Sequence, residues 1–367
     1  MHLQQLSVIN FKNYTEATLG LSDGVNAFLG DNGAGKTNLL DAIHYLTLCK
    51  SYFNPIDSQQ IKQDADFFII TGTFNRNEQT EAIACSVKRN QKKQFKRNKK
   101  DYTRLADHIG LLPVVMVSPN DISIIAEGSE ERRKFIDNVI SQTDNNYLDQ
   151  LIQYNKVLIN RNALLKAAAD TGRYDQSLLE IFDDQLTQSG NVLFEKRKAF
   201  MGAFTPVFNQ HYSFLTGEEE KVELIYESQL LQSNFETLLK KSSEKDKVLE
   251  RTTCGIHKDD LIFYIHGMPV KKFGSQGQQK SFLIALKLAQ YTLLQQAKGF
   301  KPLLLLDDIF DKLDDKRVEK LMQMVSNHNF GQVFITDTGY NRVKLIFENM
   351  QIPVKLFKIS KGEVADA

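Results

Sequence analysis

Apolar and polar positions interleave along the first third of the chain. From Leu3 to Ile9 apolar residues are spaced by Gln and Ser, and Gly24 to Leu29 is a short apolar run ending at Gly30, so both segments predict strands. Leu39, Leu40, Ile43 and Leu46 then recur at helical spacing and predict a helix over Asn38 to Leu48. Phe67 to Phe74 and Glu81 to Val87, separated by a polar turn, predict two further strands and an antiparallel sheet; Val114 to Ser118 predicts another strand.

The period changes after Glu130. Apolar residues recur at three and four positions, as in Phe135, Val139, Ile140 and then Leu148, Leu151, Ile152 and Leu158, and Leu179, Phe182, Leu186, Leu193, Phe200 and Phe204 resume the pattern after breaks at 144–146 and 169–173. An antiparallel helical hairpin or small bundle is expected as far as Phe214, with Pro206 bending or ending its last helix. Strand patterns return at Val222 to Tyr226, Leu261 to Ile265, Lys301 to Asp308 and Gln332 to Thr336.

The first site signal lies where the second strand gives way to the first helix. Gly30, Gly35, Lys36 and Thr37 in "GDNGAGKT" fit G-x-x-x-x-G-K-[ST], the loop whose backbone N–H groups cradle phosphates. Gly30, Asp31, Asn32, Gly33, Ala34, Gly35, Lys36 and Thr37 are therefore candidate nucleotide contacts, with Lys36 adding charge at the β and γ phosphates and Thr37 a ligand for Mg²⁺. The second signal is "LLLLDD", where four leucines predict a strand buried on both faces with Asp307 at its C-terminal end. Asp307 is the candidate partner of Thr37 on the metal, and Asp308 is placed to orient or deprotonate an attacking water. Two halves of one site, near residues 30 and 307, must meet, so the chain between them leaves the domain and returns. The expected division is residues 1–125 and 217–367 as the two parts of one α/β lobe, with 126–216 an inserted helical lobe.

"GSQGQQK", Gly274 to Lys280, puts a small hydroxyl and a glycine at the start of another apolar-striped helix. Two readings stand at this point: a plain capped helix, or a second phosphate cradle that closes on the nucleotide of another subunit.

Composition removes some classes. Hydrophobic residues at 42% and charged residues at 25% match soluble globular domains. Three scattered cysteines, Cys49, Cys85 and Cys254, have neither zinc nor disulfide spacing, and "MHLQQLSVINF" has no leader pattern, so a soluble cytoplasmic protein that does not engage a membrane is expected. The net charge of +1 hides one concentrated region: Lys88 to Lys100 holds eight Lys or Arg in thirteen residues, around a turn at Arg97 to Lys99. Lys92, Lys93, Lys96 and Arg97 are candidate DNA-phosphate contacts, with a solvated hairpin the alternative; no base-reading pattern accompanies them. His257 is either a site residue or a hydrogen-bonded structural one, and Arg132 and Arg133 are further candidates for a site role.

The ordered set "NFKNY", "GDNGAGKTNLLDAI", "SPND", "GSEERRKFID", "GIHKDDL", "GSQGQQK" and "LLLLDDIFDKLD" resembles the ATPase heads of the ABC and SMC type, and more closely the RecF family, over nearly the whole chain. The resemblance implies an α/β fold: an ABC/SMC-type P-loop ATPase head, with a mixed sheet, an antiparallel β subdomain and an inserted α-helical lobe. It implies ATP and Mg²⁺, a nucleotide contact from Lys12, and an ATP-dependent homodimer. In that dimer Ser275, Gly277 and Gln278 reach the partner's nucleotide, with Ser275 and Asp314 near the interface. It also implies sequence-independent binding of double-stranded and gapped DNA, action with RecR and RecO, and through them loading of RecA. Lys12, Asn120, Ile256, Lys258 and Lys280 stand where that family more often has Arg, Glu, Pro, Arg and Arg. A transporter ATPase subunit would place a switch histidine at Thr336, and a metabolic kinase gives no reason for "SQGQQK".

Overall fold

The computed structural model describes residues 1–76, 78–172, 174–217, 220–309, 315–326 and 329–366. They form two compact units, Met1–Asp121 with His211–Gly217 and Lys280–Ala367, and Ile122–Gln210 with Glu218–Gln279.

The first unit is built on two sheets. One is antiparallel, with strands in the order Tyr14–Gly20, His2–Phe11, Phe67–Arg76, Gln79–Lys88, Gln94–Arg97 and Lys100–Asp101. Its opening strand buries Leu3, Leu6, Val8 and Phe11, and a register shift between Leu3 and Gln5 lets Leu3 and Leu6, three apart, face the same core. The other sheet runs Glu363–Asp366, Val354–Ser360, Val25–Leu29, Val333–Asp337, Leu303–Leu306 and Val114–Val117. Its last five strands pair in parallel and the first is an antiparallel edge. Val25–Leu29, Leu303–Leu306 and Val333–Asp337 are buried at every position, as strands covered on both faces must be. The Lys36–Leu48 helix contacts strands of both sheets, which is why its apolar residues surround it almost completely.

The second unit carries long helices, Ser129–Thr143, Asn145–Thr171 and Gln176–Thr216, the last of which continues into the first unit. The break expected at 144–146 is a single residue, Asp144, whose carboxylate caps the second helix by accepting from Tyr147 N at 3.1 Å. Of the two expected effects of Pro206, ending the third helix does not occur: the helix runs through it from Gln176 to Thr216. Phe204 and Phe208 on either side of it are fully buried, and each contributes about 1.5–3 kcal/mol against the roughly 3 kcal/mol a helical proline costs.

The expected boundary at 217 also differs from the observed division, because residues 220–279 group with the second unit. The strands Val222–Glu227, Asp260–Ile265 and Met268–Pro269 form a sheet of their own, pairing with neither large sheet. Buried charge ties them to the helices. Arg197 Nη1 meets Asp259 Oδ2 at 2.8 Å and its Nη2 meets Asp137 Oδ1 at 2.8 Å, while Arg132 grips both oxygens of Asp260 at 2.7 and 3.0 Å. Arg161, likewise buried, bridges Asp183 and Asp246. Periodicity marks such residues as surface, whereas here they form the polar centre of a helical core. Among the described residues, no helix is long and apolar enough to cross a membrane.

Four histidines are held as neutral rings. His44 faces Lys50 O, His108 lies between Tyr102 Oη and Leu46 O, His211 meets Thr292 Oγ1, and His257 lies between Tyr154 Oη and Thr252 O. Burial pushes each of the four down to about 4. A folded value below the unfolded one means that the unfolded chain binds more protons in the interval, so these rings lose stabilisation as pH falls below about 6.5. Urea unfolding is expected to show a lower midpoint at pH 5 than at pH 7, with each histidine contributing up to about 1.4 kcal/mol per pH unit. A midpoint unchanged over that range contradicts neutral burial.

Candidate active site

The phosphate loop follows the Val25–Leu29 strand at the C-terminal edge of the parallel sheet. Gly33 and Gly35 take left-handed backbone conformations, with φ of 77° and 115°, which turn successive N–H groups toward one concavity. Gly30 is required for a different reason: a Cβ there would lie 2.1 Å from Ile359 O on the neighbouring strand. Lys36 Nζ arches back over the loop and donates to Gly30 O at 2.7 Å and Asp31 O at 3.0 Å.

Other parts of the chain brace this loop. Asn13 Nδ2 donates to Ala34 O at 2.9 Å, Tyr14 Oη donates to Gly35 O at 3.0 Å, and Gly362 N donates to Ala34 O at 3.1 Å. A Cβ at Gly35 would meet Asn13 Nδ2 at 2.5 Å and Tyr14 Oη at 2.9 Å, so the braces and the glycine are one arrangement. "NFKNY" directs attention to Lys12, but Asn13 and Tyr14 hold the loop. Lys12 itself ion-pairs at 2.7 Å with the buried Asp41 of the helix after the loop.

Asp307 leaves the sheet two strands away from the phosphate loop, with Val333–Asp337 between them. Its Oδ1 accepts from Thr37 Oγ1 at 2.8 Å and from Thr336 Oγ1 at 2.8 Å. Burial raises the Asp307 carboxyl above its usual range; the two hydroxyls oppose that rise and neighbouring Asp308 adds to it. Thr336 also accepts from Asp308 N at 2.9 Å and so holds the next residue, which has a left-handed φ of 45°. Thr336 thus joins the two acidic residues of the candidate site, whereas its sequence position served only to weigh against a transporter. The Thr37 and Asp307 oxygens suit a hard octahedral ion, because adjacent ligands about 2.0–2.1 Å from Mg²⁺ lie about 2.9 Å apart.

The second candidate cradle belongs to the other unit. Ser275 Oγ accepts from Gln278 N at 3.2 Å and Gln278 Oε1 accepts from Ser275 N at 2.9 Å, a reciprocal capping box at the head of the Gln276–Lys298 helix. Gln278 Nε2 also donates to Glu220 at 2.8 Å. Asp314 lies outside the described residues.

The basic hairpin turns through Asn98 and Lys99, both left-handed, as a two-residue turn requires. Three of its eight cations have carboxylate partners among the described residues. Lys93 meets Asp57 at 2.8 Å and Cys49 O at 2.7 Å, Arg97 grips Glu81 through two bonds, and Lys96 meets Asp101 at 3.5 Å. Lys92 is exposed and Phe95 is buried in the unit core. His257, bonded on both ring nitrogens, and Arg132, forked onto Asp260, have structural roles.

Residues 2–363 match the family model described as RecF/RecN/SMC N terminal domain. The DNA replication and repair protein RecF of Flavobacterium johnsoniae is 52% identical over 359 residues, covering 98% of this chain and 100% of that one. This chain belongs to the RecF family. The RecF of Bacteroides thetaiotaomicron is 47% identical, covering 99% of this chain and 98% of that one. A solved structure described as the recombination mediator protein RecF-ATP in the RecFOR pathway superposes with a TM-score of 0.90 at 32% identity, covering 100% of this chain and 97% of that one. The Smc head domain of Pyrococcus furiosus has a TM-score of 0.58 at 17% identity and shares the fold, that of an ABC/SMC-type ATPase head.

Replacing Tyr14 with Phe removes one donor to Gly35 O and leaves the ring in place. Nucleoside triphosphate affinity is expected to fall between about twofold and tenfold, from a net hydrogen bond of roughly 0.5–1.5 kcal/mol. Titration with a fluorescent triphosphate checks this, and unchanged affinity would mean that the brace does not shape the loop.

Proposed function

We propose that this RecF-family chain is an ATP-dependent DNA-binding ATPase of recombinational repair and replication restart, working in the cytoplasm. The observation that carries the reading is the Thr37–Asp307 hydrogen bond at 2.8 Å, joining a phosphate loop to an acidic strand end 270 residues away. The phosphate loop, Gly30 to Thr37, binds the ATP phosphates, and Lys36 supplies positive charge at the β and γ positions. Mg²⁺ held by Thr37 and Asp307 would neutralise charge developing between those phosphates. Asp308, held through its backbone by Thr336, orients the attacking water and accepts its proton.

In this reading ATP also joins two copies of the chain, with Ser275, Gly277 and Gln278 of one reaching the γ-phosphate bound by the other and Asp314 at the interface. The closed dimer holds duplex DNA beside single-strand gaps without reading sequence, and slow, DNA-stimulated hydrolysis releases it. RecR and RecO are the partners through which RecA is loaded. The support is the near full-length identity to proteins named for DNA replication and repair, and the RecF-ATP structure of matching fold.

Two outcomes test the coupling. Lys36→Ala is expected to abolish ATP binding and with it the ATP-dependent dimer on sizing chromatography; a dimer that forms regardless of nucleotide refutes the clasp. Ser275→Arg is expected to keep monomer ATP binding and block dimerisation, whereas loss of ATP binding by the monomer would show that the cradle acts within one chain.

Thr336→Val separates chemistry from binding. It removes a hydroxyl that donates to Asp307 and accepts from Asp308 N, a loss of about 1.5–3 kcal/mol for a bond to a charged group. Hydrolysis is expected to slow by roughly tenfold or more with ATP affinity little changed, as single-turnover assays would show.

A further inference from the structure

Most carboxylates around the "GIHKDD" segment of the second unit are already committed. Asp259 and Asp137 are held by Arg197, Asp260 by Arg132, and Asp246 by Arg161. Three cations of the same neighbourhood are left over. Arg133 donates only to a backbone carbonyl, Asp259 O, at 2.7 Å, and neither Arg251 nor Lys258 has a carboxylate partner among the described residues.

The three are gathered by the fold. Arg133 is anchored beside Lys258 through that carbonyl, and His257 Nε2 bonds Thr252 O at 3.1 Å, which brings the segment carrying Lys258 against the one carrying Arg251. Arg251 and Lys258 are exposed and Arg133 is half-buried, so their charge faces solvent. Desolvation first, then the charges of Arg251 and Arg133, lower the Lys258 ammonium from its ordinary value, with Asp246 opposing, so the three cations lie close enough to act on one another. The basic hairpin, with more nominal charge, has three of its eight cations, Lys93, Lys96 and Arg97, paired with Asp57, Asp101 and Glu81.

We propose that Arg133, Arg251 and Lys258 form a phosphate-binding patch on the helical unit that takes the backbone of double-stranded DNA. The inference rests on the DNA-binding reading above and adds a surface to it. Phosphodiester oxygens supply the missing counter-charge, relieve the mutual repulsion of the three cations and release condensed counter-ions from the duplex. Contacts from these side chains to phosphate oxygens carry register and affinity without sequence preference.

The test is the salt dependence of binding of a mixed-sequence duplex to the full chain with ATP, for wild type and for Arg251→Gln with Lys258→Gln. Both side chains are exposed, and thermal unfolding confirms that the variant folds. The slope of log affinity against log salt is expected to shrink by about 1.8 for the two lost phosphate contacts, with affinity falling at every salt concentration and ATP binding unchanged. A Lys92→Gln variant, altered in the hairpin, is the comparison. An unchanged slope in the double variant overturns the patch while leaving DNA binding intact. Loss of ATP affinity in the double variant overturns it in favour of a nucleotide-phosphate role. Absence of DNA binding by the wild type removes the patch together with the function on which it rests.

Discussion

One carboxylate oxygen organises the first unit. Asp307 Oδ1 accepts from Thr37 on the helix after the phosphate loop and from Thr336 on the strand between them, so three elements remote in sequence meet at one atom. That meeting is possible because the strand order puts Val333–Asp337 between Val25–Leu29 and Leu303–Leu306, with every C-terminal end on one edge. A buried carboxylate is costly unless hydrogen-bonded, and the hydroxyls offset much of that cost while leaving it able to take a cation. The rest of the unit keeps these positions fixed: the all-round burial of the Lys36–Leu48 helix between two sheets prevents Thr37 from drifting.

The phosphate loop shows a related constraint. Its glycines supply conformations that other residues resist, yet they do not choose one shape by themselves. Asn13, Tyr14 and Gly362 make that choice by bonding the carbonyls of Ala34 and Gly35, and Ile359 O leaves no room for a side chain at Gly30. A loop that must point its N–H groups at phosphate has its carbonyls satisfied from behind. The two hairpins that supply these braces, near residues 13 and 362, thus shape the nucleotide site through the loop's carbonyls.

Sequence patterning carried the strands, the first helix and the two halves of the site, because burial on one or both faces leaves a period or an apolar run. It did not carry the polar interior of the helical unit. Arg161 and Arg197 are fully or almost fully buried, but an arginine in a helical stripe reads as surface until its carboxylate partners, tens of residues away, are known. The same limit explains residues 220–279. Val222–Glu227 and Asp260–Ile265 have strand periodicity, but no local pattern says that they pair with each other and join the helices through Asp259 and Asp260. In the hairpin, Asp57 and Glu81, which pair with Lys93 and Arg97, lie outside the basic window, so the local sequence does not say which of its charges are matched.

The segment Gly274 to Lys280 offered a capped helix or a phosphate cradle, and the geometry makes these compatible. Ser275 Oγ uses a lone pair to accept from Gln278 N, and Gln278 returns the bond to Ser275 N. A hydroxyl has a proton to give as well as lone pairs to receive, so a capping serine retains a donor for an anion arriving along the helix axis. The box satisfies the N–H groups of Ser275 and Gln278, and the positive end of a long helix remains. Capping therefore does not spend the site; it holds the serine in the rotamer from which its proton can point outward. A cradle preorganised this way loses little entropy when a phosphate reaches it, which is what the proposed ATP-dependent dimer would require of it.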